Sequence, residues 1–256
     1  MFKNVIVRKP GHSLVNGITS APELGKPNYK LALKQHHAYI EALKSCGVEV
    51  TVLEADERFP DSCFVEDVAV VTKNCAIITN PGATTRKGEE EDMINVLKRF
   101  YLEDKIEYIK DPSTIEGGDV MMVGDHFYIG LSPRTNEEGA KQFIAILEKH
   151  GYTGSIVPLK KVLHLKTGLA YLENNNLLVA GEFVDNPIFD KFNKIIIDEN
   201  ESYSANCIWV NDKVLVPLGY EKTKKAIEAQ GMEVILVDTS EYRKVDGGLS
   251  CLSIRF

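Results

Sequence analysis

The chain has 256 residues, 44% of them apolar, and a net charge of −7. With no basic stripe to displace counterions, that balance argues against a nucleic-acid partner, and no apolar run is long enough to cross a bilayer. The cysteines (Cys46, Cys63, Cys75, Cys207 and Cys251) are odd in number and lack metal-ligand spacing, which fits a reduced, cytoplasmic setting.

In chain order, Met1 to Arg8 reads as a first or edge strand, too short and too soon charged for a signal peptide. Pro10 to Pro27 is a polar loop, open to reading as a lid or as a quiet connector. Asn28 caps a helix with Tyr39, Leu43 and Cys46 on one face, stopped at Gly47. A strand Val48–Leu53 follows. Next come paired apolar runs, Val68-Ala-Val-Val with Cys75-Ala-Ile-Ile, and an amphipathic helix over Gly88 to Tyr101 whose apolar positions are Met93, Val96, Leu97, Phe100 and Tyr101. Ile106–Ile109 returns as a strand. The pattern repeats: Val120-Met-Met-Val with His126-Phe-Tyr-Ile, a helix capped by Thr135 or Asn136 and ending before Gly151, and a strand near Gly154–Leu159. Leu169-Ala-Tyr-Leu with Leu177-Leu-Val-Ala is followed by a weaker helix after Pro187 and by Ile195–Ile197. Cys207-Ile-Trp-Val with Val214-Leu-Val-Pro is followed by a helix from Glu221 to Gln230 and by Glu233–Val237. A last apolar run, Leu249-Ser-Cys-Leu-Ser-Ile, ends the series.

Self-similarity at a spacing of about 40–50 residues signals a ring, propeller or solenoid. Each unit reads hairpin, helix, strand (ββαβ). The expected architecture is therefore one α/β domain over residues 1–256, a pseudo-symmetric five-bladed propeller with strand ends gathered around an axis.

The segments entering the hairpins carry residues that a plain β-protein does not need there. They are Asp61-Ser-Cys-Phe-Val-Glu-Asp, Ile115-Glu-Gly-Gly-Asp, Leu163-His-Leu-Lys-Thr-Gly and Val245-Asp-Gly-Gly-Leu-Ser-Cys. In a pseudo-symmetric ring they occupy equivalent places and converge. Singly, each has a bland alternative: Cys251 as a packed thiol in an apolar strand, His164 as a structural histidine, Glu66-Asp67 as a solvated turn, Arg86 and Arg134 as surface ion pairs. Strand alternation nevertheless turns at least one of Glu66 and Asp67 inward, where a carboxylate must find a partner or a cation. Acids beside Gly117-Gly118 and Gly247-Gly248 argue against a phosphate cradle, and the scattered histidines form no zinc-ligand cluster.

A cysteine, a histidine and several carboxylates in one pocket suit thiol attack on a flat cationic carbon such as a guanidinium. A histidine would protonate the departing amine and then activate water, and Arg86 and Arg134 would grip a carboxylate at the ligand's far end.

The same motifs, with Ser132-Pro-Arg-Thr-Asn, resemble the guanidine-modifying superfamily of the pentein fold, and within it the dimethylarginine dimethylaminohydrolases, over essentially the whole chain and in order. The resemblance implies hydrolysis of asymmetric dimethylarginine or monomethylarginine to citrulline, with no cofactor and no metal. It implies Cys251 as nucleophile through a covalent thiouronium, His164 as acid then base, and Glu116 orienting His164. Asp67 with Glu66 would hold the guanidinium, Asp61 with main-chain groups near Ile18 and Val245 the α-amino end, and Arg86 and Arg134 the α-carboxylate. Ile18 falls in the Pro10–Pro27 loop, which favours the lid reading. Arginine deiminase or amidinotransferase chemistry is the alternative within the superfamily; the larger relatives carry a helical insertion for which this chain lacks room. A macromolecule-binding pentein and a zinc hydrolase are more distant rivals. Preference between mono- and dimethylated substrate depends on pocket volume, and the Gly88–Tyr101 helix and edge strands leave a homodimer open.

Overall fold

Four tight turns set the hairpins, and each uses the backbone its residues allow. Gly124 (φ +58°), the run Glu173-Asn174-Asn175 and the pair Asn211-Asp212 all adopt left-handed conformations, which Asn, Asp and Gly reach most readily. In the remaining turn, Thr72 Oγ1 accepts the N–H groups of Asn74 (3.1 Å) and Cys75 (2.9 Å) instead.

The computed structural model describes residues 1–256. Its strands are β1 (Asn4–Arg8), β2 (Glu49–Leu53), β3 (Ala69–Val71), β4 (Ala76–Ile78), β5 (Ile106–Tyr108), β6 (Val120–Val123), β7 (His126–Leu131), β8 (Thr153–Pro158), β9 (Leu169–Tyr171), β10 (Asn176–Val179), β11 (Asn193–Ile196), β12 (Ile208–Val210), β13 (Lys213–Pro217), β14 (Glu233–Val237) and β15 (Ile254–Arg255). They form five three-stranded sheets: β3-β4-β5, β6-β7-β8, β9-β10-β11, β12-β13-β14 and β15-β1-β2. Each sheet joins an antiparallel pair to a parallel third strand. The last sheet closes the ring with both ends of the chain, pairing Val5 with Arg255 and Ile6 with Ile254. The N-terminal strand is thus the centre of its sheet and not an edge.

Alternation along each strand serves two neighbours at once. On β4, Ala76 and Ile78 pack with Met93 and Leu97, whereas Ile77 faces the other way onto Phe127 and Phe143. Five apolar clusters fill the spaces between sheets in this manner. Burying one such Ile or Leu side chain stabilises by about 1.5–3 kcal/mol.

Helices connect second strands to third strands: α1 (Tyr29–Ser45), α2 (Glu90–Leu97), α3 (Glu137–Lys149) and α4 (Glu221–Glu228). A short α5 (Ser240–Arg243) precedes the last motif. Asn28 and Asn136 cap α1 and α3 by accepting the N–H groups of Leu31 (3.1 Å) and Gly139 (2.7 Å). Helix α2 is shorter than its apolar spacing suggests. After Leu97 the chain tightens into turns, and Phe100 and Tyr101 leave the helix to pack on Phe256. The helix expected after Pro187 is only a 3₁₀ turn, Pro187–Phe189. There Phe183, Phe189 and Phe192 all plug one cluster, and that pinning breaks the segment into short turns.

In every unit a 3₁₀ turn precedes the first strand: Val65–Val68, Gly117–Asp119, Leu165–Thr167, Glu199–Ala205 and Ser250–Leu252. The polar motifs sit in these turns, at one end of the ring.

Candidate active site

A 3₁₀ turn, unlike a strand, can direct two consecutive side chains inward. Glu66 and Asp67 are accordingly both buried, and each finds a cation. Glu66 accepts from Lys166 Nζ (2.5 Å), Ser250 Oγ (2.8 Å) and Arg255 Nη2 (3.2 Å). Asp67 accepts from Arg86 Nη1 (2.6 Å) and from the Gly118 N–H (2.9 Å). Burial opposes ionisation of Asp67, yet Arg86 and His164 prevail and hold its carboxyl below the usual range.

The turn before β6 supplies Glu116, which has no exposed side-chain surface. Its Oε1 accepts the Ala83 N–H at 3.0 Å, and its Oε2 lies 2.7 Å from His164 Nε2. Burial pushes the imidazole towards neutrality, but this hydrogen bond and the charges of Asp67, Asp119 and Glu116 outweigh it, and the His164 pKa rises to about 9. Asp119 is the organiser of this corner. It accepts from Ser132 Oγ (2.6 Å), Thr135 Oγ1 (2.6 Å) and the Leu165 N–H (2.9 Å), tying the Arg134 loop to the His164 loop.

Glycines make the close approaches possible. A Cβ on Gly118 would stand 2.8 Å from His164 Nδ1, and one on Gly248 would stand 2.5 Å from Asn206. Asn206 spans two loops: its Oδ1 accepts the Ser250 N–H (2.8 Å), and its Nδ2 donates to the Lys166 carbonyl (3.1 Å) and Ser250 Oγ (3.1 Å).

Cys251 lies within the Ser250–Leu252 turn and not in a strand, a correction to the sequence reading; only Ile254–Arg255 pair with β1. This is the 3₁₀ turn that precedes the first strand of every unit, and here the Ser250 N–H bonds to Asn206 and not to a neighbouring strand. The thiol is unpaired, and burial with the nearby Glu66 and Asp67 charges pushes its pKa up to about 12. The other four cysteines are fully enclosed, also without disulfides.

Of the ten expected site residues, nine line one pocket: Ile18, Asp61, Asp67, Arg86, Glu116, Arg134, His164, Val245 and Cys251. Glu66 lines the adjoining cavity, on the other side of Cys251. The two arginines differ. Arg86 is caged: Glu89 takes Nε and Nη2, Asp67 takes Nη1, and the Asp61 and Phe64 carbonyls take Nη2. Burial lifts the Glu89 carboxyl to about 6 despite that pairing. Arg134 is held only by a 3.5 Å contact to Glu116. Asp61, its carboxyl raised by burial, accepts the Ile18 N–H at 3.1 Å. Ser20 then donates its N–H (2.6 Å) and hydroxyl (2.9 Å) to Asp246, so the Pro10–Pro27 segment straps the pocket through residues 18–20.

Ligand atoms of Asp67, Glu116 and His164 lie within 4.8 Å of one another. The constellation is therefore anionic and suited to a cationic guest, with its acids already oriented by protein donors. The residue types and motifs of the chain single out Asp119 only as an acid beside Gly117-Gly118, and do not single out Glu89, Asn206, Ser250 or Arg255. Asp119 and Ser250 stand inside the quoted motifs, whereas Asn206 and Glu89 carry no signal in the chain itself.

A family model described as N,N dimethylarginine dimethylhydrolase, eukaryotic, matches residues 22–202. The N(G),N(G)-dimethylarginine dimethylaminohydrolase of Pseudomonas aeruginosa is 62% identical over all of both chains. That of Streptomyces coelicolor is 34% identical over 99% of this chain and 96% of its own. A crystal structure of the Pseudomonas aeruginosa enzyme, a cysteine-to-serine mutant complexed with citrulline, superposes with a TM-score of 0.98 at 62% identity over the whole of both chains. An amidinotransferase from Microseira wollei shares the fold at 19% identity and a TM-score of 0.80, covering 99% of this chain and 93% of its own.

Proposed function

The chain belongs to the dimethylarginine dimethylaminohydrolase family, and from that membership we propose that it hydrolyses Nω-methylated L-arginines to citrulline and methylamine or dimethylamine, using Cys251 as nucleophile. One observation carries the reading: a thiol, an imidazole raised to about 9 and buried carboxylates from separate blades line one anionic pocket together with Arg86 and Arg134.

In the resting site the thiol is protonated and the imidazole charged. A guanidinium entering beside Asp67 adds positive charge next to sulfur, which lowers the thiol pKa, and the thiol proton passes to solvent. The thiolate bonds to the guanidinium carbon, giving a neutral tetrahedral adduct. His164 donates its proton to the methylated nitrogen, the C–N bond breaks, and a cationic thiouronium remains on Cys251. Neutral His164 then takes a proton from water as its oxygen bonds to the same carbon. Collapse forms the citrulline carbonyl and breaks the C–S bond, and the hydroxyl proton returns to sulfur. Glu116 fixes the imidazole through Oε2, and Glu66 stands behind the sulfur. Asp61 with the Ile18 and Val245 main chain holds the α-amino end. Arg134 takes most of the α-carboxylate, and Arg86 contributes from within its cage. Neither a cofactor nor a metal enters these steps. No helix is long and apolar enough to cross a membrane, and five unpaired cysteines support a reducing, cytoplasmic location.

The test is mass spectrometry of protein quenched during turnover of dimethylarginine. A citrulline-related adduct on the C-terminal peptide, with dimethylamine released, supports the reading. Release of ammonia from arginine at a higher rate would instead indicate a deiminase.

A further inference from the structure

Cys251 and His164 stand where two cavities meet. The smaller, of about 40 Å³, holds Asp61, Arg86 and Arg134. The larger, of about 500 Å³, contains none of these anchors. Asp246 and Gly247 border both, and the Ser20–Asp246 hydrogen bonds (2.6 and 2.9 Å) strap the boundary. Asp246 has a left-handed backbone (φ +57°), a conformation open to Asp more than to most residues.

A guanidinium is flat and trigonal. With its central carbon at Cys251 and its δ-nitrogen joined to the chain running toward Arg134, the ω-nitrogens project away from the amino-acid anchors. Around that side the larger cavity is walled by residues with little or no side chain, including Gly168, Ala180, Gly181 and Gly248. One aromatic side chain lines it: Tyr203, fixed by its hydroxyl to the Gly247 carbonyl (2.9 Å), with the Arg243 guanidinium 5.0 Å over its ring. Exposed Glu23 and Glu199 share this lining with Lys161, Lys166 and Arg243, so its walls carry both signs of charge around a neutral departing amine.

We propose that the larger cavity is the leaving-group chamber: it houses the ω-nitrogen substituent, admits alkyl groups longer than methyl, and discharges the amine while the amino-acid half stays clamped. This rests on the thiol mechanism above. His164, which lines both cavities, is placed to protonate a nitrogen at their junction.

The experiment compares kcat/KM for Nω-methyl-, Nω-ethyl-, Nω-propyl- and Nω-butyl-L-arginine, with Nω-methyl-L-homoarginine as the control that lengthens the clamped half. The expected result is that the propyl compound stays within about threefold of methyl, whereas homoarginine falls about tenfold or more, as one added methylene does in a closed pocket. A rim variant, Ser202→Trp, should reduce propyl and butyl turnover several-fold more than methyl. The chamber is overturned if wild-type enzyme turns over the methyl substrate yet loses about tenfold per added methylene, or if Ser202→Trp slows methyl and butyl substrates by the same factor. If no methylarginine yields citrulline, the thiol mechanism itself fails and the chamber with it.

Discussion

His164 Nε2 stands 2.7 Å from Oε2 of Glu116, a carboxylate with no exposed side-chain surface. A proton on that imidazole is thereby stabilised, and its pKa lies near 9 in place of 6.5. Because the folded value is raised, the associated stability is fully present below about pH 6.5 and is lost as pH rises through about 9; the whole set of carboxylates accounts for roughly 3 kcal/mol. We expect Glu116→Gln to move the alkaline limb of kcat toward neutrality and to flatten stability between those values. An unchanged limb in a pH–rate profile would show that Glu116 does not set the acid.

Cys251 presents the opposite case, a thiol pushed up to about 12 by burial and by Glu66 and Asp67. Alkylation of Cys251 by iodoacetamide in the free enzyme should be slow at pH 7 and should climb about tenfold per pH unit up to pH 10, since only the thiolate reacts. A plateau near pH 8 would mean that the resting thiol is already ionised. Cys251→Ser should abolish turnover while retaining substrate binding by calorimetry, since an alkoxide forms far less readily.

The two arginines separate stability from binding. Arg86→Ala leaves Asp67 and Glu89 buried without their shared cation, and we expect a loss of about 3–5 kcal/mol in denaturant unfolding. Arg134→Ala removes a partly exposed group with one 3.5 Å contact, so its cost should stay within about 1 kcal/mol. It should instead raise KM for substrates bearing an α-carboxylate and leave decarboxylated guanidines unaffected. Equal effects on both substrate types would remove Arg134 from the carboxylate site.

Gly118→Ala places a methyl 2.8 Å from His164 Nδ1 and 3.0 Å from Asp67 Oδ1. Displacement of the imidazole by a fraction of an ångström should lower kcat by about a hundredfold, with about 1–3 kcal/mol of destabilisation from overpacking. Normal kcat in a folded variant would show that the ring has room to shift.

Asn206→Ala unpairs the Ser250 N–H and the Lys166 carbonyl, groups that belong to the nucleophile's turn and to the His164 loop. A loss of about 1–3 kcal/mol is expected, with kcat reduced more than KM is raised. Should KM alone change, Asn206 would be acting on substrate and not on the two loops.

The order of elements was readable because it depends on local patterning. Alternating apolar runs, left-handed Asn and Gly turns and the Asn28 and Asn136 caps act over a few residues, and their repetition implied the ring. The motif residues were readable for a related reason: pseudo-symmetry puts the turn before each first strand in an equivalent place, so Glu66, Glu116, His164 and Cys251 had to converge. Where the local pattern misled, packing had intervened. Phe189 and Phe192 pin the segment after Pro187 into the core as short turns, and Cys251 falls in the 3₁₀ turn that precedes the first strand of every unit.

Pairing lay beyond that reach. That Glu66 meets Lys166, Ser250 and Arg255 while its neighbour Asp67 meets Arg86 follows from contacts across 100 or more positions in the first case and 19 in the second. Spacing along the chain places no constraint on such partners. The fold, the convergent motifs and the kind of chemistry were therefore written in the linear chain, because periodicity and backbone preference are short-range. Which acid holds which base, how far the thiol is from ionising, and that Arg86 is caged while Arg134 is nearly free are consequences of burial and distance, quantities that exist only once the blades have closed.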